Sequence, residues 1–148
     1  MTKEAEAAAH AIGRPIEILA ASTSREIDSA FASLAQKRIE GLLVSPSALF
    51  IVRRVQITTL ATRRAIPAMY NIREFVEAGG LMSYGRSFSD EYRQLGIYTG
   101  RILKGEKPSD LPVVQPTKFE FVINLQTARA LDIDVSPLLL ARADEVIE

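Results

Sequence analysis

The stretch from Ile66 to Ser87 constrains the fold of this chain more than any other. An apolar run ends at Asn71, a helix of one or two turns follows, Gly79 and Gly80 end that helix, and a second apolar run reaches Gly85. A strand, a helix and a strand within about twenty residues form the compact repeating unit of a parallel sheet. Ligands bind at the carboxyl ends of strands in such sheets, so the residues after each strand become candidates for a site.

The remainder of the chain repeats this alternation of strand and helix. The patterns predict strands at 15–20, 41–44, 67–70, 81–84 and 118–123, and helices at 3–12, 24–37, 48–64, 73–78, 89–103, 124–131 and 137–146. Strand 118–123 alternates charged and aromatic residues, which is typical of an edge strand with one solvated face. The order predicts an α/β fold with three layers, a parallel sheet covered by helices on both faces.

Composition excludes several classes of function. The chain has 148 residues, a formal net charge of zero and no cysteine. One domain is expected, without a nucleic-acid footprint, a disulfide or a thiol nucleophile. No run approaches the roughly 18 apolar residues of a membrane span. The first residues are too polar for a signal peptide, so the sequence taken as complete would be cytoplasmic, and taken as a fragment it says nothing of location.

No pattern for catalysis, a metal or a cofactor emerges. His10 is the only histidine, and no serine or carboxylate is tied to it by spacing. Gly79 and Gly80 precede a strand instead of opening a helix, so they do not form a phosphate-binding loop. A phosphoacceptor receiver domain would need aspartates at the strand ends, where this chain has Ser22, Ser45, Asn71 and Tyr84. We therefore expect a protein that is not an enzyme and holds no cofactor.

The strand ends instead carry a rim of polar, uncharged and aromatic side chains. Hydroxyls, an amide and helix amino termini suit a small ligand that bears a carboxylate, and tyrosines supply flat apolar walls. Serine and asparagine also cap helices in such loops, so a purely structural interpretation stays open. Arg73 is expected to be exposed, whereas Glu74 is a candidate to bind the amine of a ligand. The candidate ligand-binding residues are Ser45, Ser47, Tyr70, Asn71, Glu74 and Tyr84.

Four strings of sequence carry a resemblance to a known family. They are YNIREFVEAGGLMSYG at 70–85, YTGRILKGEKP at 98–108, QPTKFEFVIN at 115–124 and LLLARADEVI at 138–147. Together they resemble the substrate-binding proteins of ABC transporters, in the family associated with tryptophan and tyrosine uptake. The resemblance covers essentially the whole chain.

The resemblance implies one lobe of a type I periplasmic-binding-protein fold. Such proteins have two α/β lobes that close by hinge motion on a ligand in the cleft. The chain would then be a single lobe, residues 1–148, the carboxyl-terminal one. The first lobe, the signal peptide and the first strand of this lobe would be absent. The parent would be periplasmic or lipid-anchored outside the cytoplasm, with an ABC permease as its partner, and without nucleic-acid binding or membrane insertion.

Two functions follow as hypotheses. In the first, the chain is the solute-binding component of an ABC importer, and its ligand is an amino acid, aromatic ones included. Ser45 and Ser47 would bind the polar head, while Tyr70, Asn71 and Tyr84 would line the wall. In the second, the chain is a stand-alone intracellular oligomer that has lost transport.

An open sheet edge and an uncovered helix predict self-association. Removing the central first strand leaves its neighbours without partners. Helix 89–103 carries an apolar stripe from Tyr92 to Ile102, with Gly96 and Gly100 on the neighbouring line. The resemblance implies that this helix packs on the first lobe. We therefore expect the chain by itself to form a homo-oligomer, a homodimer being the simplest case.

Overall fold

The chain divides between residues 38 and 39 into two units of structure. The computed structural model describes residues 2–37, 39–115 and 117–148, with the backbone alone at Thr2. We call residues 1–38 the amino-terminal unit and residues 39–148 the carboxyl-terminal unit. The two are described in turn.

The amino-terminal unit contains the two helices that the sequence predicts. Helix α1 spans Thr2–Ala11 and is followed by Gly13 at a φ of 66°, a backbone conformation that favours glycine. Helix α2 spans Ser24–Ala35 and begins at Thr23, whose hydroxyl accepts a hydrogen bond from the Glu26 amide. Its buried side chains lie one turn apart along one face, as the periodicity predicts: Ile27, Phe31 and Leu34.

The strand predicted at 15–20 is not formed. Residues 14–20 have no regular secondary structure and are exposed, including the apolar Ile16 and Ile18. A run that favours β structure becomes a strand only where a neighbouring strand takes its backbone hydrogen bonds. The sheet of the described residues includes no strand that pairs with this run. The prediction failed because local propensity cannot supply the missing neighbour.

The carboxyl-terminal unit contains a five-stranded sheet in the order β1-β2-β3-β4-β5. Strands β1, β2 and β3 are parallel, β4 is antiparallel to β3, and β5 is parallel to β4. The predicted α/β fold is therefore confirmed, with a sheet that is mostly and not wholly parallel. The strands are β1 (Leu42–Leu43), β2 (Ala68–Tyr70), β3 (Met82–Arg86), β4 (Phe119–Asn124) and β5 (Glu145–Ile147).

Two predictions at the end of the chain are wrong. Strand β4 is not at the edge, because β5 lies beside it, and Glu145 and Val146 of β5 were predicted to be helical. The chain leaves the last helix and is fixed at Asp144, whose amide donates to the Phe121 carbonyl at 2.8 Å. The Asp144 carboxylate accepts from the Phe121 amide at 2.8 Å. These bonds align the short run Glu145–Ile147 with β4, and such a run has no period that separates strand from helix.

Six helices surround this sheet in the described residues of the unit. They are α3 (Ala48–Val52), α4 (Arg54–Arg63), α5 (Arg73–Glu77), α6 (Phe88–Leu103), α7 (Leu125–Ala130) and α8 (Pro137–Leu140), with a 3₁₀ turn at Pro108–Asp110. The helix predicted at 48–64 is interrupted at Arg53, and Val52 and Val55 on either side of the interruption are exposed. Helix α4 instead buries Ile57 and Ala61.

Helices cover both faces of the sheet around β3 and β4. On one face, α5 packs its Phe75 against Tyr70 of β2, with ring centroids 4.6 Å apart and nearly parallel. On the other face, Ile123 of β4 packs with Ala128 of α7 and with Val135 in the following loop. This arrangement confirms the predicted layers of helix, sheet and helix at the centre of the unit.

The end of β2 approaches β3 at Gly85 more closely than a side chain allows. A Cβ atom added at Gly85 would lie 1.7 Å from the backbone oxygen of Asn71. A backbone atom cannot rotate away as a side chain can, so the two strand segments would have to separate. Gly85 therefore fixes the position of Asn71, a candidate ligand-binding residue, relative to β3.

We predict that Gly85→Ala lowers the free energy of unfolding by about 1–3 kcal/mol, because the added methyl group overpacks the contact with Asn71. The matched control is Gly100→Ala in α6, where an added Cβ meets no atom within 4 Å. This control should raise stability by about 0.5–1 kcal/mol, since alanine restricts the unfolded chain and favours the helix. Urea denaturation of the two variants measures both changes. An unchanged midpoint for Gly85→Ala would contradict the close approach.

Candidate functional site

The carboxyl ends of β1, β2 and β3 meet at one edge of the sheet. Leu43 pairs with Met69, and Tyr70 pairs with Ser83. The Val44 amide donates to the Met69 carbonyl at 3.0 Å, which carries the β1–β2 pairing beyond β1. Continuing these registers places Ser45, Asn71 and Tyr84 in one row across three neighbouring strands. The structure thus brings three of the predicted site residues to the same edge.

Ser47 precedes α3 without capping it. Its backbone occupies the cap position, but its hydroxyl makes no capping hydrogen bond. Ser45 and Ser47 are both partly buried. The alternative interpretation, in which serine only caps the next helix, is therefore wrong for Ser47.

Tyr70 lies beneath the surface of the edge. Its side chain is 1% exposed, and the ring lies between Phe75 and Gly80, where an added Cβ would be 2.5 Å from the Tyr70 Cε2 atom. Its hydroxyl is buried and has no hydrogen-bond partner among the described residues. Burial raises the pKa of Tyr70 well above its ordinary value. The ring is part of the core, and only the hydroxyl remains available to a further group.

Two acceptor oxygens next to Tyr70 are also unsatisfied. The Asn71 Oδ1 and Glu74 Oε2 atoms are buried, and neither meets a donor in the part of the chain that the structure describes. Asn71 directly follows β2 and Glu74 lies in the first turn of α5, so the two belong to one strand-to-helix turn. A buried acceptor without a donor is destabilising, more so when it belongs to a carboxylate. The turn is therefore complementary to a group that donates hydrogen bonds and carries positive charge.

Arg73 is committed to an ion-pair network. Its guanidinium lies 2.9 Å from Glu77, 2.8 Å from Glu145 and 3.5 Å from Glu120. Hydrogen bonds to Glu77 and Glu145 raise its pKa. The prediction of an exposed Arg73 is wrong, because these carboxylates hold the side chain partly buried. The Arg73 guanidinium is therefore not available to bind the carboxylate of a ligand.

The same network reaches the start of α6. The Ser87 hydroxyl donates to Glu120, the carboxylate that also faces Arg73, and accepts from the Asp90 amide that begins the helix. The Ser87 amide donates to the Lys118 carbonyl at 3.1 Å. The chain therefore leaves the sheet at Ser87 and returns at Lys118 through two hydrogen-bonded segments.

Three aromatic rings of β3 and β4 contact one another beside the row of strand ends. Tyr84 stacks on Phe119 with centroids 5.6 Å apart and planes at 19°, and meets Phe121 edge-on at 6.4 Å. Tyr84 is 55% exposed and Phe119 is 46% exposed, whereas Phe121 packs against the core. Sequence reasoning missed Phe119 as a residue of this edge, because it took the strand as a member of a parallel sheet. The Phe-Glu-Phe alternation was visible, but it does not give the direction of the strand.

A shallow groove of about 390 Å³ lies elsewhere in the unit. It is lined by Thr58, Thr62, Arg63, Gly79, Gln126 and Thr127, among others. The hydroxyls of Thr58 and Thr127 donate to the carbonyls of Ala78 and Gly79, each at 3.0 Å. These threonines thus complete the end of α5, and the groove is at the amino end of β3, away from the predicted site.

The described residues contain no group of three or more histidine, cysteine, aspartate or glutamate side chains placed to hold a metal ion. None of the helices formed by these residues has the length and apolar character needed to span a bilayer.

Comparison with known proteins places this geometry in context. The family model described as ABC transporter substrate binding protein matches residues 1–147. A tyrosine-binding protein of Clostridioides difficile (strain R20291) is 30% identical over 115 residues, which are 75% of this chain and 32% of that protein. The chain therefore spans about a third of that relative.

Two solved structures share the fold. One is an ABC domain in complex with L-Trp from Streptococcus pneumoniae, with 25% identity and a TM-score of 0.87 over 99% of this chain and 49% of that one. The other is a conserved domain protein from Vibrio cholerae, with 22% identity and a TM-score of 0.86 over 98% of this chain and 49% of that one. The chain thus spans about half the length of these structures.

We predict that Tyr70→Phe leaves the free energy of unfolding at neutral pH unchanged or raises it by up to about 1 kcal/mol, since it removes an unsatisfied hydroxyl and keeps the stacked ring. Because the folded state raises the pKa of Tyr70, the wild type should lose stability as the pH rises above about 10, the value in the unfolded chain. The variant should lose less.

Urea denaturation at neutral and alkaline pH measures these differences, with Tyr92→Phe, the same change on an exposed ring, as the control. A clear loss of stability in Tyr70→Phe at neutral pH would show that the hydroxyl has a partner in the folded chain.

Proposed function

Because the chain belongs to the ABC transporter substrate binding protein family, we propose that it is the carboxyl-terminal lobe of a two-lobed solute-binding protein that delivers an amino acid to an ABC permease. Such a lobe binds its ligand without chemical change, so the proposal includes no catalysis. It also places the parent protein outside the cytoplasm, where solute is captured. The ligand sits at the edge formed by the carboxyl ends of β1, β2 and β3.

The observation that carries the proposal is the pair of unsatisfied oxygens on Asn71 and Glu74. An ammonium group offers three donors and a positive charge, which are what a buried amide oxygen and a buried carboxylate oxygen lack. The α-ammonium group of an amino acid meets this requirement. A neutral sugar would satisfy the hydrogen bonds but not the charge of Glu74.

The other predicted residues complete the site in this proposal. Ser45 and Ser47 contribute hydroxyls to the polar head of the ligand, and the Ser47 hydroxyl has no capping role to give up. Tyr84 provides an exposed wall, and the Tyr70 hydroxyl reaches the ligand from beneath. The relatives are a tyrosine-binding protein and an ABC domain bound to L-Trp, so an aromatic amino acid is the ligand we propose.

A single lobe is expected to bind this ligand weakly. A micromolar Kd corresponds to roughly −8 kcal/mol, and a ligand that loses half of its contact energy binds at millimolar concentration or weaker. Binding is therefore best followed on the ligand, by saturation-transfer NMR, where weak complexes give a signal. Comparing variants by their Kd ratio keeps the test independent of absolute affinity.

We predict that the chain binds L-tyrosine more tightly than 3-(4-hydroxyphenyl)propionate, which has the same ring and carboxylate but no amine. Glu74→Gln should weaken L-tyrosine by about tenfold, because hydrogen bonds to charged groups contribute about 1.5–3 kcal/mol, and should leave the analogue unchanged. Glu6→Gln, an exposed carboxylate on α1, is the control with the same loss of charge. Equal affinities for L-tyrosine and its analogue would remove the amine from the proposal.

Helix α6 supports the further proposal that another protein surface covers this lobe. All 16 of its residues are described, and none is buried. Its partly buried positions include the polar Asp90, Gln94 and Arg101. Its exposed positions include Tyr92 at 72% and Leu95 at 59%. The helix thus buries none of its large apolar side chains and leaves several of them in solvent, unlike an ordinary amphipathic surface helix.

An exposed apolar face of this kind marks an interface. In the two-lobed parent we propose that the other lobe covers it. When the chain is alone, a second copy covers it, with α6 of each protomer against α6 of the other around a two-fold axis. The alternative of a stand-alone oligomer without transport shares this interface. It gives no role to the unsatisfied oxygens, so we prefer the binding protein.

We predict that the chain is a dimer in solution and that Leu95→Arg converts it to a monomer, because a charge at the centre of the apolar face must lose its water to enter the interface. Light scattering after size exclusion measures the mass of each. Thr59→Arg, an exposed position on α4, is the matched control and should remain a dimer. A monomeric wild type at high concentration would refute self-association and leave the proposal on ligand binding intact.

A further inference from the structure

We propose that Phe119 and Tyr84 form an aromatic ledge that receives the ring of the amino-acid ligand, and that Phe119 determines the preference for aromatic over aliphatic amino acids. The inference rests on the proposed function, because it states where the side chain of the ligand binds when Asn71 and Glu74 bind its amine. It adds a residue that neither the sequence patterns nor the resemblance assigned.

The two rings form a stacked pair that exposes apolar surface. Their planes differ by 19° with centroids 5.6 Å apart, and each ring is about half exposed. The ring of Phe121 meets Tyr84 edge-on from the core side and holds it upright. A third planar ring can stack on the exposed side of this pair, whereas an aliphatic side chain would use only part of the surface.

The direction of β4 places the ledge at the ligand edge. Arg86, the last residue of β3, pairs with Phe119, the first residue of β4. Because the two strands are antiparallel, the beginning of β4 lies at the same edge as the carboxyl ends of β1, β2 and β3. In a fully parallel sheet Phe119 would lie at the opposite edge, far from Asn71.

The ledge begins one strand away from the proposed amine site. The register that pairs Tyr70 with Ser83 brings Tyr84 beside Asn71 on the adjacent strand. Neighbouring strands are about 4.8 Å apart, a separation that one amino acid spans between its amine and its ring. The register therefore places Tyr84 next to Asn71, the residue that carries one of the two unsatisfied oxygens.

Cross-strand aromatic pairs also stabilise sheets by themselves, and the experiment must separate that role from binding. Saturation-transfer NMR titrations with L-tryptophan and L-leucine would compare wild type, Phe119→Leu and Leu138→Ala. The control Leu138→Ala removes an exposed apolar side chain of α8. A purely structural role for Phe119 would alter the unfolding midpoint without altering the ratio of the two affinities.

We expect Phe119→Leu to weaken L-tryptophan by about three- to tenfold, the range for one aromatic stacking contact, and to leave L-leucine unchanged. Leu138→Ala should change neither affinity. An unchanged ratio in Phe119→Leu would overturn the ledge while the proposed function stands. A wild type that binds neither ligand at any accessible concentration would overturn both.

The wild type alone provides a second measurement, which does not depend on the folding of the variant. Bound L-tryptophan should receive its strongest saturation at the ring protons, because they lie against Tyr84 and Phe119. Stronger saturation at the α-proton than at the ring would show that the ring points into solvent, and would overturn the ledge.

Discussion

The antiparallel ladder between β3 and β4 is the constraint on which the rest of this structure depends. It is the longest pairing of the sheet, joining all five residues of β3 to β4. Because of this ladder, β4 begins at the edge where the three parallel strands end, and β5 has a neighbouring strand to pair with. Ser87 and Lys118, at the two ends of the excursion through α6, are joined by a hydrogen bond beside this ladder.

Ion pairs stabilise the same region, and one of its carboxylates stays outside them. Arg73 draws Glu77, Glu120 and Glu145 together, and Glu120 also accepts from Ser87 at the start of α6. One arginine therefore joins α5, β4, β5 and the beginning of α6. Its neighbour Glu74 lies outside this network, and that is why a buried oxygen remains available there. The ion pairs fix the turn, and the unpaired carboxylate gives it something to bind.

The sequence predicted features that depend on local chemistry and missed those that depend on a neighbour. The helices predicted at 24–37 and 124–131 and the strands around Tyr70 and Ser83 depend on local sequence, and they are confirmed. The run 15–20 has residues that favour a strand but no neighbouring strand to pair with. Glu145–Ile147 pairs with β4, although its sequence gives little indication of a strand. Strand direction likewise leaves no trace in alternation, so Phe119 was not predicted as a residue of the site.

The carboxyl-terminal unit has unsatisfied groups of two kinds, and we propose that one kind binds a protein partner and the other a ligand. Leu95 and Tyr92 on α6 expose a broad apolar face, which only another protein surface can cover, because removing so much area from water needs a partner of similar extent. The oxygens of Asn71 and Glu74 are already out of water and lack only a donor, so a group as small as an ammonium completes them. Tyr84 and Phe119 lie between these extremes, with enough exposed ring for one planar side chain. In the proposed function these groups have different partners: a protein surface covers α6, and an ammonium group and a planar side chain bind at the strand ends.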